Sequence, residues 1–262
     1  MKILITGAHG FVGNRLMQDL DDTVAAPSMR GMSEEQIRNM IEKSRADVII
    51  HTAAISDVGT CEKDPGASYE ANVRLPLFLA KAAKEQKMIC FSSDQVYRGC
   101  AGEGPYKEED ASPCNVYGRH KLEMEQRVLD VKPDAVMLRA EWMYDYPTKR
   151  SNYLRMLLNE KQVLTFGKQY RGITYLREVA ENMPKIFMLP GGVYNFGSET
   201  KQTMYDITCE MLHFLKSDRK PEEVPPAHNL WMDCTKAKER GILFSDAKEG
   251  LKRCLKDYHL AK

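Results

Sequence analysis

The chain has 262 residues, 43% apolar and 29% charged, a length suited to one or two joined domains and the composition of an ordinary globular protein. Lysine and arginine number 38 against 37 aspartate and glutamate, so no net basic field exists to draw nucleic acid or an anionic membrane. No apolar run approaches the ~18 residues of a membrane span, and Met1–Gly7 meets glycine too soon to be a secretory leader.

The first half alternates β-branched runs with helical patterns. Strands are predicted over Lys2–Thr6, Thr23–Ala26, Asp47–His51, Met88–Ser92 and Ala135–Leu138. Helices are predicted over Asn14–Leu20, from the Ser33/Gln36 capping box to about Lys43, over Ala67–Gln86 and over Tyr117–Val128. After Tyr144 the rhythm changes. Helices are expected over Asn152–Leu158, Tyr175–Met183, Thr203–Leu215 and Ala247–Leu255, and strands over Val163–Thr165 and Val193–Phe196, the latter returning to the main sheet. Lys216–Pro226 reads as a surface loop. Strands alternating with helices predict an α/β fold: a doubly wound parallel (Rossmann) sheet with a small C-terminal substrate lobe. The expected division is residues 1–144 with 174–196 for the sheet domain, and 145–173 with 197–262 for the lobe.

Seven cysteines without any C-x-x-C spacing argue against a disulfide framework and a cysteine zinc site, and for reduced thiols in the cytoplasm. No metal site is expected. Asp57, Glu62 and Asp64 form an acidic stretch whose simpler reading is a solvated loop.

The first strand runs into Gly7-Ala8-His9-Gly10-Phe11-Val12-Gly13 and then a helix. Glycines in such a turn let a pyrophosphate approach backbone N–H groups at the positive end of the helix dipole. The strand–glycine–helix context points to dinucleotide binding. An acid at the end of the second strand would hold a ribose 2′-hydroxyl. Here the region reads Ala25-Ala26-Pro27-Ser28-Met29-Arg30. Ser28 and Arg30 suit a 2′-phosphate, which favours NADP(H) over NAD(H).

Tyr117 and Lys121 stand four apart in a predicted helix and so share a face. A neighbouring ammonium is expected to lower a phenol pKa that is ordinarily about 10 and to tune it for proton transfer. Upstream, the fourth strand ends Phe91-Ser92-Ser93-Asp94-Gln95-Val96-Tyr97, at the carboxyl edge where open α/β sheets bind ligands.

In these motifs the chain resembles the extended short-chain dehydrogenases/reductases, and within them the dTDP-4-dehydrorhamnose reductase group of sugar-nucleotide reductases. His51-Thr52-Ala53-Ala54, Asn72, Leu138-Arg139, Gly172-Ile173-Thr174-Tyr175 and Asp233-Cys234-Thr235-Lys236-Ala237 extend the likeness along the chain. The resemblance implies that Tyr117 protonates the alkoxide while a nicotinamide hydride attacks a ketone. It implies that Lys121 holds the nicotinamide ribose and that Ser93 hydrogen-bonds the reacting oxygen. It places Gly7, His9, Gly10, Phe11, Val12, Ala53, Ala54, Ile55, Asn72 and Ser92 around the cofactor. Asp94, Gln95, Trp142 and Arg171 are the candidate substrate contacts. The implied partner is a nucleotide sugar, with a homodimer as the common assembly.

One motif departs from the pattern. The reductase group commonly reads Thr-Asp-Tyr-Val-Phe-Asp-Gly where this chain has Ser93-Asp94-Gln95-Val96-Tyr97-Arg98-Gly99. Related dehydratases use an Asp-Glu pair there for water elimination, and Gln95 does not ionise. Two other readings remain open at this point: a non-catalytic binding subunit like the regulatory subunit of methionine adenosyltransferase, and an epimerase. The Tyr117–Lys121 pair favours catalysis. His51 and Cys90 read as structural, Tyr144 and Tyr146 fall at the mouth of the expected cleft with Trp142, and Arg150, Arg155 and Arg171 in the variable half are alternative diphosphate binders.

Overall fold

The computed structural model describes residues 1–148 and 150–260. Its central sheet has six parallel strands: β1 (Ile3–Thr6), β2 (Thr23–Ala25), β3 (Val48–His51), β4 (Lys87–Ser93), β5 (Val136–Ala140) and a late strand (Gly192–Phe196), in the order β2-β1-β3-β4-β5-late strand. Four further short strands precede or follow the late one: β6 (Trp142–Tyr144), β7 (Thr165–Phe166), β8 (Ile173–Tyr175) and, after the late strand β9, β10 (Glu222–Glu223). β6 pairs with β8, and β7 with β10, both in parallel.

Successive strand residues point to opposite faces, and both faces of this sheet are buried. Ile3, Ile5, Ile50, Phe91 and Leu138 pack on one side, with helices α1 (Phe11–Asp19) and, later in the chain, Leu176–Ile186. Leu4, Ile49, Met88, Cys90 and Met137 pack on the other, under α2 (Glu34–Ser44) and two helices over Leu75–Ala82 and Val116–Val131. Burial on both sides explains why these strands read as continuous apolar runs. The capping box at Ser33 and Gln36 forms as expected.

The single helix expected over Ala67–Gln86 is instead three pieces. They are α4 (Pro65–Tyr69), which follows α3 (Val58–Lys63), then a π-helical turn over Glu70–Arg74, then α5 (Leu75–Ala82). Pro76 lacks the N–H that an α-helix would aim at the carbonyl of residue 72, so the ladder widens just before it. Helix α6 (Val116–Val131) begins one residue earlier than expected, capped by Asn115, whose side chain accepts from Gly118 N.

The remaining helices are α7 (Tyr153–Leu158), α8 (Leu176–Ile186), α9 (Met204–Phe214), α10 (Thr235–Lys238) and α11 (Ala247–Asp257). Tyr144, Leu154, Phe166, Tyr175, Ile207, Met211 and Leu251 form a further apolar cluster, away from the main sheet. The expected strand over Val163–Thr165 is displaced to Thr165–Phe166, and the expected loop over Lys216–Pro226 contains its partner β10. Among the described residues no helix is long and apolar enough to cross a membrane.

Candidate active site

The glycine turn after β1 closes through backbone contact. Gly7 has φ +70°, and a Cβ there would lie 2.7 Å from Ala53 N. A Cβ on Gly13 would lie 2.2 Å from Gly7 O, so α1 packs directly on the turn. Gly10 caps α1 without a side-chain hydrogen bond, which leaves the first N–H groups of the helix for an anionic ligand. A cradle in which side chains are excluded and backbone donors are free fits a dinucleotide pyrophosphate.

A cleft of about 640 Å³ runs from this turn along the carboxyl ends of β3, β4 and β5. Gly7, Gly10, Phe11, Val12, Ala53 and Ala54 line one end; Ser92, Ser93, Asp94, Gln95, Tyr117, Lys121, Trp142 and Arg171 line the rest. Five expected cofactor residues lie outside that lining. Ser28 and Arg30 are exposed on the loop after β2. His9 faces a neighbouring cavity with Asn14, Arg15 and Arg150. Asn72 is buried in the widened turn, where its side chain accepts from Ile55 N at 3.2 Å and donates to Ile55 O at 2.9 Å, so it braces the loop after β3. Ile55 is held there by its backbone.

Tyr117 and Lys121 share the buried face of α6, the ammonium 6.0 Å from the phenol ring centre. Gly118 makes the approach of α6 to the turn after β4 possible: a Cβ there would lie 2.4 Å from Gln95 O. Gln95 Oε1 accepts from Asn115 Nδ2 at 3.0 Å, and Val116 N donates to Glu62 at 2.7 Å. The acidic stretch is thereby explained, since Asp57 and Asp64 cap α3 and α4 while Glu62 seats α6. Among the described residues no group of three or more His, Cys, Asp or Glu side chains converges as a metal site.

The expected direction of the tyrosine shift is corrected. Burial pushes the Tyr117 phenol above its ordinary value and Asp94 adds to this, with the Ser93 hydroxyl opposing. Lys121 donates to Phe91 O at 2.6 Å and is itself pushed down to about 8 by burial. Desolvation is the largest influence on the phenol in the protein alone.

Ser93 Oγ donates to Asp94 Oδ1 at 3.1 Å and accepts from Gln95 N. Ser92 donates instead to Glu125, the buried partner of Arg139. Asp94, 2% exposed, receives Arg171 through Nε at 3.0 Å and Nη2 at 2.8 Å, and the Arg171 guanidinium lies 5.4 Å from the Trp142 ring centre. This brings three of the four candidate substrate residues together. His51 is buried and neutral, held by Thr6 at 2.7 Å.

One residue of this wall is new. Glu141 follows β5, is buried and lines the cleft. Its only sequence signal is an acid at the end of an apolar strand. Arg150, on the opposite rim, donates to Ser56 at 2.9 Å across the cleft mouth.

A family model described as the RmlD substrate binding domain matches residues 1–260. The chain is 28% identical over 86% of its length, and 82% of the relative's, to a dTDP-4-dehydrorhamnose reductase of Aggregatibacter actinomycetemcomitans. It is 27% identical over 92% of its length, and 83% of the relative's, to methionine adenosyltransferase 2 subunit beta of Mus musculus. The fold matches the crystal structure of a Bacillus anthracis dTDP-4-dehydrorhamnose reductase in complex with NADP, with a TM-score of 0.86 at 21% identity, covering 98% of this chain and 99% of that one. Glycine turn, Tyr117–Lys121 pair and strand-end Ser93 lie in one cleft within the matched span, and the chain belongs to the RmlD substrate binding domain family.

Proposed function

We propose that the protein is an NAD(P)H-dependent reductase of a keto group on a nucleotide-linked sugar, with NADPH the preferred reductant. The observation that carries this reading is the placement of Tyr117, Lys121 and Ser93 on one cleft whose far end is the glycine cradle. The reductases among the relatives support the substrate class. Preference for NADPH rests on the absence of an acid after β2, where Ser28 and Arg30 stand exposed. Seven unpaired cysteines suit a reducing compartment such as the cytoplasm. The apolar cluster built on β6–β8, α7, α9 and α11 is the substrate lobe.

Bound in the cleft, a reduced nicotinamide supplies the hydride. Burial keeps the Tyr117 hydroxyl protonated at neutral pH, so it is a proton donor. As the ketone oxygen gains negative charge it becomes more basic than phenolate, and the proton passes to it from Tyr117. Ser93 hydrogen-bonds the same oxygen and fixes its distance from the phenol. Lys121, mostly cationic at pH 7, offsets the charge left on Tyr117 and holds the cofactor ribose. Arg171 and Trp142 at the other end offer a cation and an aromatic face to the nucleotide portion.

Oxidation of NADPH and of NADH with a panel of 4-keto nucleotide sugars, dTDP-4-dehydrorhamnose first, tests the reading, with Tyr117→Phe as control. Turnover lost in the variant establishes the reductase. Similarity to the methionine adenosyltransferase subunit makes a binding role the second reading; cofactor binding without turnover of any ketone selects it.

A further inference from the structure

Glu141 is held in a way that leaves half of its carboxyl unused. Thr174 Oγ1 donates to Oε1 at 2.5 Å, and Ser198 N donates to the same oxygen at 2.7 Å. Among the described residues Oε2 receives no hydrogen bond from the protein, although Glu141 lies on the cleft wall. Space for this carboxyl exists only because two glycines flank it. A Cβ on Gly172 would lie 1.9 Å from Oε2, and a Cβ on Gly197 would lie 2.4 Å from the carboxyl carbon. The charged groups around it are Asp94 and Arg171, with the Cys234 thiol behind. Arg171 is engaged by Asp94 and makes no hydrogen bond to Glu141.

We propose that Glu141 is a substrate-recognition residue, its Oε2 donating a hydrogen bond to an oxygen of the sugar moiety in the cleft. This rests on the reductase reading and extends it. Donation needs a proton on the carboxyl. Burial, reinforced by Asp94, pushes Glu141 up to about 8, so the acid is neutral at pH 7. A carboxyl kept neutral by its surroundings acts as a hydrogen-bond donor. Such a donor suits a hydroxyl or carbonyl oxygen of the sugar, and an ionised carboxyl there would instead repel the diphosphate.

The test uses the full-length protein with NADPH and the keto sugar, comparing wild type, Glu141→Gln and Glu141→Met between pH 6 and about 9.5. Glutamine keeps one acceptor and one donor; methionine keeps neither. The expected result is a KM raised about tenfold in Glu141→Met, the worth of one hydrogen bond, with kcat changed much less. Glu141→Gln rescues most of that loss. Above pH 8 the wild-type KM climbs relative to that of Glu141→Gln. Lys121 loses its proton over this range in all three proteins while Tyr117 keeps its own, so the ratio of profiles reports Glu141. Equal KM values for the Gln and Met variants, or parallel pH profiles for wild type and Glu141→Gln, overturn the proposal while the reductase reading stands. Absence of wild-type turnover overturns both. If Glu141→Met does not fold, the pH comparison of wild type with Glu141→Gln decides.

Discussion

The two walls of the cleft are built by different means. The wall nearest the N-terminus is backbone: Gly7 and Gly13 pack so closely that a Cβ is excluded at each, Gly10 has a tight 3.0 Å contact, and the N–H groups of the turn are left facing the cleft. The opposite wall is side chains drawn from distant parts of the chain. Asp94 meets Arg171, and Glu141 meets Thr174 and Ser198. A backbone cradle recognises what every member of a cofactor class shares, a pyrophosphate. A side-chain wall changes with single substitutions, and it is where discrimination between substrates resides.

That contrast can be broken at several points. Replacing Tyr117 with Phe leaves both walls intact and removes the proton donor. A loss of kcat of about 10²- to 10⁴-fold is expected, with cofactor affinity by fluorescence titration unchanged. A loss of affinity would mean that α6 shapes the cradle as well.

Glu141→Gln has an effect visible without substrate. The folded protein holds Glu141 neutral up to about 8, from an ordinary 4.5. Between those values the unfolded chain ionises this group and the folded one does not. Stability therefore falls as pH rises through that window, by about 1.4 kcal/mol per pH unit from this group. Urea melts from pH 5 to 8 should show this decline lessened in the glutamine variant; identical slopes would mean that Glu141 ionises in place.

Arg171→Met leaves the Asp94 carboxyl buried without its counter-charge, with only the Ser93 hydroxyl as partner. The KM for the nucleotide sugar should rise about 10- to 100-fold, while the Kd for NADPH barely moves. If both change together, the walls are not independent. Arg150→Ala removes one exposed hydrogen bond to Ser56 and should change stability by less than about 0.5 kcal/mol. A larger shift in melting temperature would show that the cleft mouth is under tension.

The difference between the walls also explains what was legible in the residues. The glycine turn is contiguous and sits between a strand and a helix, so its role follows from spacing. The Tyr117–Lys121 pair follows from helix periodicity. Glu141 was not legible, because its meaning depends on Gly172 and Gly197, which only folding brings beside it. The helix read over Ala67–Gln86 runs through a π turn just before Pro76, and Asn72, which bonds Ile55, sits in that turn. β6 and β8 are three residues each and exist by pairing with one another, so local propensity carries little trace of them. The Tyr117 shift had the opposite sign because sequence shows a neighbouring charge and hides the depth of burial.

The edge strand β9 has one further consequence. It lies beside β5, yet β6, β7, β8, α7 and α8 come between the two in the chain. Its register with β5, from Val136 opposite Gly192 to Ala140 opposite Phe196, is made by a long loop closure. Strands β1 to β5 can associate stepwise as the chain emerges, whereas β9 must wait for everything it encloses. Ser198, just beyond β9, is one of the two donors that seat Glu141. The glycine turn is thus complete within the first strands and helix of the chain, whereas Glu141 gains its Ser198 donor only when β9 has closed onto β5.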